Sequence, residues 1–500
     1  MRAVVALFLL AGLTLGANPE VREITVQESI DLGLAYNLGL RSSRLGALLE
    51  RFRVAEEDAA WDPVFTGGVG GGESLSPSRS SLAGADVVDT DSFNFTLGLT
   101  KPLRLGPSLG LTWRTDRTFS NSSFSTINPS YDTALELSLT VPLLQGRGRT
   151  AQESLLRASR AGARAARLQL LDDSAGLIEE IALAYWDLYA SQDQVRVRRK
   201  SVEVAEEIEA AERRKLEPSI GRSTRLDVTK AHAETKKREA ALIDGELQAA
   251  NASDALRRLI LPFAADGPDH LVLRAVSLPS EKCEIPSLSD AISKALSARH
   301  DLRKRDAEIE QLREGVVQAR DRLRMQLDLT ASVTWKGLAG RFSPAAGDSL
   351  EGKTPSAQGA LNLTWPLGRR AARAVLHRTE LELERARIDR RELVNQIVVA
   401  VRKAHREVTT TGRQIEATRE EVRAATESLE GERQRLARGS TTVLEVARLE
   451  SSLTEAELRL LQAETALAGA RIKLYRVTGS LLERTGVSWG PDLQARRGKR

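Results

Sequence analysis

The chain has 500 residues, 41% of them hydrophobic and 28% charged, with a formal net charge of +5. That composition is globular and long enough for a sizeable core, while aromatics at 4% argue against a conventional large α/β enzyme core. A charge of +5 left by 73 basic and 68 acidic side chains describes a solvated helix surface, and no basic stripe with interleaved aromatics marks a nucleic-acid groove.

The first residues, "MRAVVALFLLAGLTLGA", place Arg2 before an apolar run that ends at Leu15, followed by Gly16 and Ala17. This is the layout of a signal peptide over 1–17, too short to span a bilayer comfortably, with a buried N-terminal helix as the alternative. No cysteine follows the run, so no lipid anchor is expected there, and the single Cys283 has no internal partner. No later segment approaches 18 uninterrupted apolar residues. An exported chain of this kind spans a membrane, if it does, as a β-barrel.

A first repeat is expected over 18–261. A helical pattern at 28–59 breaks near residues 37–39 and runs into "DPVFTGGVGGG", with a strand near 63–72. Residues 92–118 alternate on both arms of a tight turn at 105–107. They form either an elaborate external loop or added strands, and the alternation favours strands. A strand near 131–143 ends at Pro142, which suits the first turn of a following helix. That helix, 151–216, would be on the order of 100 Å long. A tip turn at 217–223 and a return helix at 224–260 close the unit. Residues 262–287, with Pro262, Pro268, Pro279 and Pro286, read as an equatorial connector packed beside the rods.

The second repeat, 288–479, follows the same order. Aligning 290–321 on 28–59 puts Ile292, Leu296, Leu302 and Arg303 on Ile30, Leu34, Leu40 and Arg41. Strands near 327–338 and 357–367, the latter ending by Pro366, lead to a long helix at 371–436. A tip turn at 437–441 and a return helix at 442–477 precede a tail at 480–500 ending in "RRGKR". Each opening and returning helix, stacked end to end, matches one long helix in length. Rods of that size need neighbours along their whole length, as the three- and four-residue spacing of "LIEEIALAYWDLY" provides. Trp113, Trp335 and Trp365 sit in strands, where an interfacial aromatic girdle belongs, although packing against a helix explains each equally well.

The doubled layout, "VPLLQGRGR" and "TWPLGRR", and the turn followed by "LDVTKAHAETKKREAAL" or "LEVARLESSLTEAELRLLQAETALAGARIKLYRVTG" resemble the TolC-like outer-membrane efflux proteins over essentially the whole mature length. The resemblance implies a mostly α chain with a membrane β part: a long α-helical barrel continued by a transmembrane β-barrel shared among protomers, built from two tandem repeats. It implies four strands per protomer, a homotrimer in outer-membrane lipid, and a large periplasmic part. Expected partners are a periplasmic adaptor (membrane fusion) protein and an inner-membrane pump or ABC transporter. No cofactor, metal or nucleic acid is expected.

The resemblance also points to a gate. Asp227 matches the family's first-turn acid, but Leu436 stands at the position of its tyrosine and Thr441 at that of its arginine. Glu445 and Arg448 match the two aspartates that ring the aperture. Asp227, Glu445 and Arg448 are therefore the expected gate residues, and clustered Glu445 carboxylates would favour cations and raise one another's pKa. Gly221, Arg222, Ser223 and Thr224, with Gly439, Ser440, Thr441 and Thr442, are the expected adaptor-docking turns, their glycines allowing positive backbone angles. A plain helix-terminus role for Asp227 and Glu445 is the competing reading.

Two other function classes fit the residues less well. An enzyme finds no support, because His232, His270, His300, His377 and His405 are scattered and "TGGVGGGES" lacks the helix of a phosphate loop. A structural coiled-coil protein of the envelope explains the rods but not the paired strand segments.

Overall fold

The structure, a computed structural model, describes residues 20–78, 81–216, 224–261, 271–279, 285–438, 440–490 and 495–497. The expected signal peptide, Gly221, Arg222, Ser223, Gly439, Cys283 and much of the connector and tail lie outside them. In chain order the elements begin with β1 (Glu20–Ile24), α1 (Val26–Tyr36), α2 (Leu38–Asp58), β2 (Val64–Pro77), β3 (Val87–Pro102), β4 (Ser108–Ser120) and β5 (Ser130–Pro142). A one-turn α3 (Arg149–Gln152) precedes α4 (Ser154–Lys215), α5 (Arg225–Ile260), β6 (Leu271–Ala275), α6 (Leu288–Ala298) and α7 (His300–Asp321). Then come β7 (Gln326–Ala339), α8 (Phe342–Glu351), β8 (Pro355–Thr364), α9 (Arg370–Ala437), α10 (Val443–Val477), α11 (Leu481–Thr485), β9 (Val487–Trp489) and β10 (Ala495–Arg497). They fall into two compact units: Met1–Gly46, Arg167–Arg303 and Arg391–Arg500 in one, Ala47–Ala166 and Lys304–Arg390 in the other. Helices α2, α4, α7 and α9 contribute residues to both.

The first unit is helical, and its spacing explains it. Along the middle of α9, from Ile397 to Ile415, the buried residues are Ile397, Val401, Ala404, Val408, Thr411 and Ile415, separated alternately by four and three positions. An average of 3.5 residues keeps one seam facing its neighbour, as in a coiled coil. Leu467, Ala470 and Leu474 of α10 pack against that seam, and Ala291, Ala295 and Leu302 pack against its start. On α4, Ser174, Ile178, Ile181, Tyr185 and Leu188 repeat the three-and-four spacing and are fully buried. Each large aliphatic among them contributes about 1.5–3 kcal/mol by leaving water.

Short polar devices set the ends. Thr25 and Glu28 form a capping box at the start of α1. The α1–α2 break is stabilised by Asn37, whose Oδ1 accepts from the Leu40 N–H while its Nδ2 donates to the Leu259 carbonyl, both at 3.0 Å. Sequence reasoning assigned no strand to residues 20–24. They form β1, which pairs in parallel with β6 inside the segment read as a connector. α4 pins this pair. The Tyr185 hydroxyl donates to the Ile24 carbonyl at 3.1 Å and accepts from the Val276 and Ser277 N–H groups at 3.0 and 2.7 Å. Gln192 acts as a further strand: its Nε2 donates to the Leu273 carbonyl at 2.7 Å and its Oε1 accepts from Ala275 N–H at 3.0 Å.

The second unit carries one antiparallel sheet of six strands, in the order β2-β3-β4-β5-β7-β8. Residues 92–118 lie in β3 and β4, both paired within that sheet. The helical part of this unit has its own core of Ile309, Val316, Leu383 and Ala386. Helix α8 lies against β5 and β7, where Thr133 donates to the Ala345 carbonyl at 2.7 Å. The approach requires glycine at 337, since a Cβ there would fall 2.0 Å from the Ala345 carbonyl oxygen.

Removing the Tyr185 hydroxyl takes the acceptor from the Ser277 N–H and leaves the Val276 N–H with the Ile24 carbonyl at 3.2 Å alone. Tyr185→Phe should destabilise the first unit by about 1–3 kcal/mol, measured as a lowered midpoint in thermal denaturation of the detergent-solubilised protein, with faster amide exchange at residues 20–24 and 271–277.

Candidate functional site

Two features carry the chemistry. The first is the sheet. Every pairing register joins odd-numbered to odd-numbered residues, as in Phe65 with Leu99, Leu97 with Trp113, Leu111 with Leu137, Leu135 with Trp335 and Leu329 with Leu361. Since side chains alternate with a period of two, all odd positions share one face. That face carries Phe93, Phe95, Leu97 and Leu99 on β3, Leu109, Leu111 and Trp113 on β4, and leucines and Val333 on β5, β7 and β8. The even face is mostly Thr, Ser, Gly and Asn with a few charges, among them Arg114, Asp116, Glu136 and Asp328, and a few apolar residues such as Val64, Val88 and Leu338.

The apolar band crosses the sheet obliquely. From the row containing Leu97, Trp113, Leu135 and Trp335, it extends to Phe93 on β3 and in the opposite direction to Leu327 on β7 and Leu363 on β8. Strands tilted by about 45° to a hydrocarbon slab need this offset, and 9–11 residues then cross it. Trp113 and Trp335 occupy that one row. Trp113 stacks on Phe342 of α8 with ring centroids 6.3 Å apart, and Phe342 also meets Tyr131 edge-on at 6.4 Å. Trp365 lies apart, just past β8, with the Arg369 guanidinium 5.3 Å from its ring centroid.

The second feature is a charged cleft of ≈ 1110 Å³ among the ends of α4, α5, α9 and α10. Its lining includes Asp227, Leu436, Thr441, Thr442, Glu445 and Arg448 together with Glu234 and Arg238. The expected gate residues are thus gathered in one place, each with a partner of its own. Asp227 closes a capping box with Thr224, accepting from the Thr224 hydroxyl at 2.6 Å and its N–H at 3.1 Å. Those hydrogen bonds from the side chain and backbone of Thr224 hold its carboxyl below the usual range. Thr442 caps α10 by accepting from the Glu445 N–H at 3.4 Å, and the Glu445 carboxylate lies 3.8 Å from the Arg448 guanidinium. Ser440 donates from its N–H and its hydroxyl to the Arg435 carbonyl, both at 3.0 Å, closing the end of α9.

Sequence reasoning missed the residue that ties these helices together. Arg238 is buried on α5. Its Nη1 donates to the Ser201 carbonyl and hydroxyl of α4, both at 3.1 Å, and its Nη2 to the Ala447 carbonyl at 3.2 Å and Ser451 Oγ at 2.7 Å on α10. Nε completes the set with Glu234 at 3.2 Å. Nearby, Glu209 of α4 meets His232 Nδ1 at 3.0 Å and Arg213 at 2.6 Å. Burial works to raise the Glu209 carboxyl, but hydrogen bonds from His232 and Thr235 outweigh it and leave it below the usual range. On the other pair, Arg433 of α9 bonds buried Glu450 of α10. In sequence, Arg238 is one cation in "TKKREAAL", with nothing to separate it from its solvated neighbours.

The profile of the outer membrane efflux protein family matches residues 104–260 and 291–480, well over half of the chain, and the chain belongs to that family. This is a family of channel and transport proteins rather than of enzymes. The outer membrane efflux protein BepC of Brucella suis biovar 1 (strain 1330) is 24% identical over 320 residues. That alignment spans 63% of this chain and 66% of BepC, just under two thirds of the relative. Among solved structures, the Campylobacter jejuni CmeC outer membrane channel is similar with a TM-score of 0.70 at 15% identity, over 91% of this chain and 86% of that one. The outer-membrane channel OprN gives a TM-score of 0.67 at 18% identity, over 91% and 90%. The likeness is one of fold.

Arg238→Ala removes the donors for groups on two other helices and should cost about 3 kcal/mol locally. Hydrogen exchange should quicken around residues 238 and 447–451, and Arg238→Lys, which keeps the charge but not the fork, should recover only part of the protection. The Asp227 carboxyl lies below its ordinary 3.8, so its support for the first turn of α5 is complete above that pH and fades as acid titrates the folded carboxyl. Asp227→Asn should abolish this acid-induced fraying, read as amide protection at residues 225–229 at matched exchange times.

Proposed function

We propose that the chain is the outer-membrane channel of a tripartite efflux or type I secretion system. On this reading it is a trimeric conduit that passes substrates, chemically unchanged, from a periplasmic adaptor and an inner-membrane transporter to the exterior. The observation that carries the reading is the two-faced sheet: six strands whose odd positions carry a continuous apolar band and whose even positions are mostly polar, in a chain of an outer-membrane efflux family. Such a sheet closes into a barrel with lipid outside and water inside.

Trimer formation is supported by exposed apolar stripes on the helices that flank the sheet. Leu49 and Phe52 of α2 are 67% and 69% exposed, and Leu381 and Ile388 of α9 are 71% and 55% exposed, at three- and seven-residue spacing. These are seams in search of a partner helix. The tandem arrangement is supported by the parallel breaks between α1 and α2 and between α6 and α7, each with a residue just past the helix capping it, Asn37 and Arg299. At the charged cleft, Asp227, Glu445 and Arg448 set the resting arrangement of the tip, and Thr224 with Ser440, Thr441 and Thr442 belongs to the surface that meets the adaptor.

Purified protein reconstituted in planar bilayers should give discrete, cation-preferring single-channel steps, migrate as a heat-modifiable trimer, and restore drug or detergent resistance to a strain lacking its own copy. Arg238→Ala, by loosening the tip, should raise the conductance. No conductance together with no detergent-stable trimer would sink the channel reading in favour of an envelope coiled-coil protein.

A further inference from the structure

We propose that the hairpin formed by β3 and β4 is a membrane-spanning insertion, so that three copies close a barrel of 18 strands. The proposal rests on the trimeric reading above and adds the width of the pore. An external flap could pair with β2 or β5 and still stand clear of the membrane. Two observations place this hairpin in the slab instead.

First, its apolar face is in register with that of the rest of the sheet. Leu97 pairs with Trp113, and Trp113 with Leu135, so the hairpin's odd face continues the oblique band without a step. Second, the hairpin runs the full height of the sheet. Its turn is held where β5 hands over to the helices: Gly148 N–H donates to the Leu105 carbonyl at 3.0 Å, and Arg104 donates to Asp58, at the end of α2, at 2.7 Å. Gly106 has a φ of +110°, and a Cβ on it would meet the Gly146 carbonyl at 2.7 Å, so this seating is built into the turn. The family profile begins at residue 104, which leaves β2 and β3 outside the matched region.

The occupant of the two open edges is a second copy of this chain. β2 and β8 are the edge strands, and each presents an unpaired ladder in an apolar band. Hydrocarbon does not tolerate such edges. β2 follows α2 and β8 precedes α9, and both helices carry exposed apolar stripes, so one copy's α2–β2 edge faces the α9–β8 edge of the next. Barrel diameter grows roughly in proportion to strand number, so six strands per copy rather than four widen the pore about 1.5-fold, into the range of strand numbers that leaves an aqueous channel.

The test is a cysteine scan of the whole chain in a Cys283→Ser background, with a membrane-impermeant maleimide as probe. In reconstituted trimers Thr96→Cys and Thr112→Cys should label through the pore, whereas Leu97→Cys and Leu111→Cys should lose labelling. Density for the wild-type trimer in nanodiscs should count 18 strands. Equal labelling of both parities, or a barrel of 12 strands, would overturn the inserted hairpin while leaving a trimeric channel intact. A wild-type protein that forms no trimer would overturn the channel reading itself, and the 18-strand barrel with it.

Discussion

A strand inside hydrocarbon has no water to satisfy its backbone, so every N–H and C=O must find a partner in protein. The second unit obeys this for four of its six strands within a single chain. β3, β4, β5 and β7 are paired on both sides, and only β2 and β8 are left with one bare edge each. In solution those edges would be a hazard. On the proposed reading of a barrel shared among copies, they are instructions for assembly. The chain's odd-even chemistry makes the same demand, because a sheet with Phe95 and Leu99 on one face and Asn94 and Thr100 on the other is at rest only between lipid and water.

The helices answer a different constraint with the same economy. Spacings of three and four keep the seams of α4 and α9 inward, so that their solvent-facing positions are free to carry charge. Most of that charge forms short-range pairs along one helix or between the two arms of one hairpin, such as Arg459 with Glu421 at 2.6 Å, and such exposed pairs stabilise little. Arg238 differs in kind. It is buried, it spends its donors on backbone and hydroxyl acceptors of α4 and α10, and its loss would leave those acceptors unmet. On the proposed reading, the tip is held by this neutral-acceptor bracket rather than by the tyrosine and arginine links that Leu436 and Thr441 no longer supply.

The sequence made the long helices and the strand segments visible because their periods, 3.5 and 2, are written in residue type. It could not reveal β1, five residues whose partner β6 lies some 250 positions away, the pair being held by Tyr185 on β1 and by Gln192 on β6. α8 was equally hidden: "FSPAAGDSLE" has a proline and a glycine inside it, and its helical form is secured by a close approach to Gly337. At the tip, Asp227 and Glu445 were legible as acids at helix starts. Asp227 satisfies that local role with its carboxylate on the Thr224 cap, whereas Glu445 meets the Thr442 cap only through its N–H and leaves its carboxylate 3.8 Å from Arg448.

That satisfaction bears on how a gate could work here. The Asp227 carboxylate, already committed to its own helix cap, has little to gain from a second partner, and the stronger holds at the tip are the contacts that join separate helices. Arg238 to Ser451 and Glu209 to His232 are such contacts: the first links α5 to α10, the second α4 to α5. They would respond differently to motion. Sliding one hairpin against the other breaks the bonds of Arg238 to Ala447 and Ser451 and leaves Glu209 with His232, while prising α5 from α4 breaks Glu209 from His232 together with the bonds of Arg238 to Ser201. Arg238 opposes both movements, the first through Nη2 and the second through Nη1, whereas Glu209 opposes only the second, so the more deeply buried residue guards the boundary between the hairpins as well as its own hairpin.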